Sequence, residues 1–194
     1  MNKCKTSAQY LQGVILTILL VLLDQLTKYL AVLNLKDQEA FVILPGIFEF
    51  HYLENQSAAF SIDPVSLIHK IFHISYFDQN PDAFLQAKMI FFIVMTLIVI
   101  ALLALIYKKI PQTRHFTLMN GILIAFISGA IGNLIDRILN NYVVDFLYFS
   151  LIDFPIFNVA DIYVTCAAFG VIFSGIFCYK EEDFELIFGR TSEH

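Results

Sequence analysis

The stretch Met89 to Tyr107, MIFFIVMTLIVIALLALIY, is uncharged from end to end and close to the roughly 20 residues that cross a hydrocarbon core as an α-helix. Working outward, Phe116 to Ile135 is a second uncharged run of similar length. Tyr10 to Leu33 is a third, interrupted by Asp24 and Lys28, and Phe157 to Tyr179 is a fourth, with Asp161 near its start. Composition agrees with four crossings. Of the 194 residues, 58% are hydrophobic and 15% charged, and mean hydropathy is +0.72, against about 45–50% apolar and about 25% charged in water-soluble domains. The expected fold is an all-α membrane protein, a single integral membrane domain over residues 1–194 with four transmembrane helices. The net charge of -5 comes from scattered acids. No Lys/Arg block is dense enough to suggest a nucleic-acid partner.

Orientation follows from the basic residues. Lys3 and Lys5 precede the first span, Lys108, Lys109 and Arg114 fill the turn between the second and third, and Lys180 follows the fourth. The positive-inside rule assigns these segments, and both termini, to the cytoplasm. Asn34 to Lys88 and Asp136 to Ile156 then face outward. Asp24 falls in the outer half of the first span, Asp136, Arg137 and Asp145 after the outer end of the third, and Asp161 at the start of the fourth. The acids gather at one surface. A carboxylate near lipid is costly and is found at an ion path, in a structural pair or at a reaction centre. Clustering at one depth favours a shallow reaction centre over a proton-coupled transporter, while nothing in the residues favours a non-catalytic assembly factor.

The outer cap, about residues 34–88, carries its own signals. Pro45-Gly46 reads as a turn, and Ile47 to Leu53 puts Phe48, Phe50 and Tyr52 on one face of a short strand, an aromatic run more in keeping with packing than with substrate contact. Leu67, Ile68, Ile71 and Phe72 recur at helical spacing opposite His69, Lys70 and His73, as in a helix lying in the membrane interface. Asp78 to Asp82, DQNPD, reads as a turn before the second span. Met1 to Leu23 imitates a secretory signal, but no small-residue cleavage site follows, so it is expected to remain a membrane helix. Cys4, Cys166 and Cys178 read as free thiols, the last two standing about 18 Å apart on one helix.

Five short motifs occur in order: DQLTK (Asp24 to Lys28), NQSAAF (Asn55 to Phe60), GNLIDR (Gly132 to Arg137), VVDF (Val143 to Phe146) and FNVAD (Phe157 to Asp161). Together, over nearly the whole chain, they resemble lipoprotein signal peptidase, or signal peptidase II. That resemblance implies a bacterial inner-membrane aspartic endopeptidase, multi-pass and needing no cofactor or metal. It would cut lipid-modified prolipoproteins just before the diacylglyceryl-cysteine at the periplasmic side. It makes Asp145 and Asp161 the catalytic pair. Asn55, Asn133, Arg137 and Asn158 match the polar residues around the family's site, and Asp24, Lys28, Asp136 and Ala160 match its other motif positions. Membrane lipid is the second partner, and a monomer is expected. Ser57 stands where the family usually has Gly, and the stretch from Phe60 to the second span is longer than the family leads one to expect.

The residues admit this chemistry by themselves. Two carboxyl groups brought together share a proton and split their pKa values, so one can activate water while the other polarises a carbonyl. No HExxH is present, and His51, His69, His73, His115 and His194 lack metal-ligand spacing. Asp24 and Lys28, at i and i+4, suit a structural pair that lowers the cost of burying both, with a substrate-facing role also open. Arg137 could snorkel to the interface, brace the acids or hold backbone carbonyls. The asparagines suit helix capping or interhelical bonding as well as substrate positioning.

Overall fold

The computed structural model describes residues 5–57 and 64–189. Lys3, Cys4, His194 and the Ala58 to Phe60 end of NQSAAF lie outside them. Four helices are long and apolar enough to cross a membrane: α1 (Ser7–Leu35), α4 (Pro81–Lys109), α5 (Thr117–Asn140) and α6 (Val159–Phe177). Between α1 and α4 come β1 (Phe41–Leu44), β2 (Phe48–Asn55), α2 (Pro64–Phe72) and α3 (Ser75–Gln79). β3 (Val143–Tyr148) follows α5, and α7 (Glu181–Phe188) follows α6.

All four expected spans are present, with shifted ends. α4 starts at Pro81 rather than Met89. The DQNPD turn is therefore corrected: α3 runs to Gln79 and only Asn80 separates it from α4. Pro81 sits at the first helical position, where its missing N–H costs nothing, and Asp82 suits the positive end of the helix. α5 continues to Asn140 and ends on Asn141 in the left-handed conformation. Asp136 and Arg137 thus belong to the last turns of that helix instead of following it. Phe157 falls outside α6, pairing with Leu147 as a β-bridge, and the Asn158 side chain caps the helix start after it.

α1 is inside-out relative to a helix in water. Its buried positions include Asp24, Lys28, Ala31 and Leu35 in a 4-3-4 stripe, while Leu22, Leu26, Leu30 and Leu33 are exposed. That pattern fits lipid outside and small or polar side chains between helices. α5 is the hub, packing against α1, α4 and α6. Gly129 permits the close approach of α6. A Cβ there would stand 2.8 Å from Val164 Cγ2 and press on the Ala160 carbonyl.

Two apolar clusters close the ends of the bundle. Ile110, Phe116, Met119, Leu123, Tyr179 and Ile187 gather where the α4–α5 turn meets α7, a helix the sequence reading did not anticipate. At the other end Ala31, Leu35, Val144, Phe146 and Leu147 pack with Phe48, Phe50 and Tyr52, so the aromatic face of β2 is a packing face. The strands form one antiparallel sheet in the order β1-β2-β3. β3 went unread because five of its six residues are buried, leaving no period-two alternation. α2 leaves Leu67, Ile68, Ile71 and Phe72 exposed on one side, while His69 packs against Phe77 and Phe84. The longer outer segment is accounted for by α2 and α3.

Candidate active site

Asp145 is the third residue of β3 and is 1% exposed. Asn55, at the end of β2, donates its Nδ2 to Asp145 Oδ2 at 2.7 Å, and Asn158 donates its Nδ2 to Asp145 Oδ1. Asp161 is the third residue of α6, where it completes a capping box. Its backbone N–H donates to Asn158 Oδ1 at 3.0 Å, and its carboxylate accepts from the Asn158 N–H at 3.2 Å. One residue, Asn158, therefore touches both carboxyl groups. Its side chain is fully buried.

A lysine orients the next donor. Lys28 can only donate, and its Nζ donates to Asn133 Oδ1 at 2.7 Å. This turns the Asn133 amide so that Nδ2 donates to Asp161 Oδ1 at 2.8 Å. Lys28 also pairs with Asp24 and Asp136, each at 3.0 Å. Asp24 Oδ1 accepts from the Ala160 N–H at 2.8 Å, and Asp136 Oδ2 accepts from the Val144 N–H at 3.0 Å. The triad thereby fastens α1 to α5, α6 and β3. A Cβ on Gly132 would press on the Asp24 carboxylate and stand 3.3 Å from Ala160 Cβ, so only glycine leaves room for the triad.

The ten residues singled out in the sequence fall into two groups. Asn55, Asn133, Arg137, Asp145 and Asp161 line a cleft of about 980 Å³. Asp24, Lys28, Asp136, Asn158 and Ala160 are buried behind it. Arg137 Nη2 donates to the Ser57 carbonyl at 3.2 Å, and its guanidinium lies 5.3 Å from the centre of the Phe92 ring. It therefore holds a carbonyl and also stands within electrostatic reach of Asp161, Asp145 and Asp136, as bracing the acids requires. Ser57 is absent from the non-glycine residues with positive φ, and its N–H donates to Asn55 Oδ1 at 2.8 Å. Its backbone lies outside the left-handed region that favours glycine.

Gln25 was not singled out, although it lies within DQLTK. Its Nε2 reaches Asp136 Oδ1 at 3.0 Å and the Gly132 carbonyl at 3.1 Å. His51, Tyr148 and Asp153 also line the cleft. No motif marks them: His51 and Tyr148 face it because β2 and β3 pair, and Asp153, beyond the sheet, accepts from the Tyr148 hydroxyl.

Burial, and secondarily the charge of Asp161, push the Asp145 carboxyl up to about 7, against the opposing pull of the Asn55 and Asn158 donors. On the rim, hydrogen bonds from His51 and Ser150 hold the Glu49 carboxyl below its ordinary range. Among the described residues no three His, Cys, Asp or Glu side chains converge as a metal would require. Cys166 and Cys178 are free and exposed.

Comparison with known proteins places this geometry in context. Residues 16–177 match the family described as signal peptidase (SPase) II. A lipoprotein signal peptidase of Clostridium tetani is 37% identical over 175 residues, covering 89% of this chain and 95% of the relative. One of Streptococcus pyogenes is 38% identical over 167 residues, covering 86% and 92%. Two solved structures, each described as a bacterial membrane enzyme determined by the in meso method, are 26% identical to this chain. One superposes with TM-score 0.65, covering 91% of this chain and 92% of the other, and the second with 0.66, covering 92% and 99%.

Proposed function

The chain belongs to the signal peptidase II family, and from that premise we propose that it is a membrane aspartyl endopeptidase that removes the signal peptide from diacylglyceryl-modified prolipoproteins by cutting before the lipidated cysteine. The observation that carries the mechanistic part is the pair of carboxyl groups, Asp145 and Asp161, held by one buried asparagine at the wall of an open cleft.

In this reading Asp145, with its affinity for protons raised, keeps the shared proton and donates a hydrogen bond to the scissile carbonyl. Asp161 takes a proton from the attacking water, a tetrahedral intermediate forms, and that proton passes to the departing amine. Asn55, Asn133 and Asn158 fix the carboxylates before substrate arrives. Lys28, Asp24 and Asp136 keep three helices in register behind them. One chain supplies all ten residues, so a monomer suffices.

The enzyme works in the bacterial inner membrane with its termini in the cytoplasm and its cleft at the outer face. Lys108, Lys109 and Arg114 lie at the opposite end of the bundle from the sheet, which supports that orientation. A substrate whose signal peptide is a membrane helix and whose acyl chains already lie in lipid can enter sideways between helices.

Purified Asp145→Asn and Asp161→Asn proteins should bind a diacylglyceryl-modified prolipoprotein while cleaving it at least about 10³-fold more slowly than wild type. Undiminished cleavage by both would remove the mechanism. Cleavage by wild type in strong chelator is expected.

A further inference from the structure

The cleft has two arms of opposite character that meet at the carboxylate pair. One descends between α4, α5 and α6 and is apolar, reaching Val99, Phe126 and Cys166. Cys166 lies about 7.5 Å further along α6 than Asp161, at 1.5 Å per residue. The other arm is a wall that runs along the sheet and the loop after β3, where His51, Tyr148 and Asp153 set polar groups among Leu53, Phe154 and Pro155.

That wall is a connected structure. His51 Nε2 pairs with Glu49 Oε2 at 2.9 Å. The His51 ring meets the Tyr148 ring edge-on, centroids 4.8 Å apart. The Tyr148 hydroxyl donates to Asp153 Oδ1 at 2.7 Å. Asp153 is itself held at φ 48, a left-handed conformation that Asp and Asn tolerate better than most residues. The hydrolytic scheme uses none of these four side chains.

Resting on the endopeptidase reading, we infer that this wall is a specificity surface for the mature side of the substrate, disfavouring an acidic residue at the third position after the cut, the second after the modified cysteine. A peptide has direction. The signal segment precedes the scissile bond and is a membrane helix, so it takes the apolar arm. The chain that follows the bond must then leave along the polar one. Tyr148 stands three residues along β3 from Asp145, about 10 Å at 3.3 Å per residue, and an extended substrate covers the same distance in three residues. The wall brings the Asp153 carboxyl to that place, with the Glu49 carboxyl next to it on the far side of His51. A carboxylate from substrate meets like charge there, and a lysine meets opposite charge.

The test uses the full chain in lipid with diacylglyceryl-modified peptides that differ only in carrying Lys or Glu at the third position after the cut. Wild type should favour Lys over Glu in kcat/KM by about fivefold, the scale of partly exposed charge pairs. Combined Glu49→Gln and Asp153→Asn should bring that ratio to within about twofold of unity, and Asp153→Lys should reverse it. Asparagine accepts the left-handed backbone at residue 153, so the double variant retains the turn. Equal rates in wild type, or a ratio untouched by the substitutions, overturn the wall's role and leave the endopeptidase reading standing. Failure of wild type to cut either peptide overturns both.

Discussion

Asn158 holds three positions at once: it caps α6, donates to Asp145 and, through its backbone N–H, contacts Asp161. Its motif neighbour Asp161 is thus fixed by ordinary helix-start chemistry, in which an Asn at the cap and an acid at the third position bond reciprocally. Asp145 needs help from another element, since its donors come from β2 and from the cap of α6. The pH dependence of cleavage should report this arrangement. With the Asp145 carboxyl pushed up to about 7, the proton is held below that pH and lost above it. Therefore kcat/KM should fall as pH rises through about 7. Asn55→Ala removes a donor that favours the ionised carboxylate, so the alkaline limb of its profile should move to higher pH. A limb that moved to lower pH would contradict the assigned proton.

At the scale of elements, Lys28 is the fastener. It sits on α1, answers Asp24 one turn before it and Asp136 on α5, and turns the amide of Asn133 toward Asp161. The i, i+4 spacing of Asp24 and Lys28 made the first pairing legible in the sequence. The second was not legible, because the span ending at Ile135 left Asp136 outside the helix that carries it. Lys28→Met leaves two buried acids without their cation, a change that costs about 3–5 kcal/mol at such sites. It should lower the thermal midpoint of the detergent-solubilised protein clearly. Adding Asp24→Asn should recover part of the loss, since one of the two stranded charges is gone. A Lys28→Met protein that melts with wild type would show that the triad bears little of the fold.

For the whole molecule, sidedness is the claim with the widest reach. In a background lacking Cys4, Cys166 and Cys178, Glu39→Cys should react with a membrane-impermeant maleimide on intact spheroplasts, and Arg114→Cys only after permeabilisation. Both positions are exposed, so the opposite pattern would invert the orientation. The four spans were readable because lipid imposes a one-dimensional rule: a helix must be apolar for a bilayer's thickness, and each departure from that rule stands out. Asp24, Lys28 and Asp161 were visible for that reason. The five motifs were legible only through their resemblance to a known family. Gln25, His51, Tyr148 and Asp153 were not, being ordinary residues in segments where polarity is expected. β3 was hidden because burial on both faces erases strand alternation. The residues in order carried the membrane class and the number of crossings, and their resemblance to a family pointed to the two acids proposed as the catalytic pair. Packing alone settled which five of the ten site residues line the cleft and which brace it from behind, and which strand face looks inward. Those outcomes depend on distances between segments far apart in the chain, which no local pattern encodes.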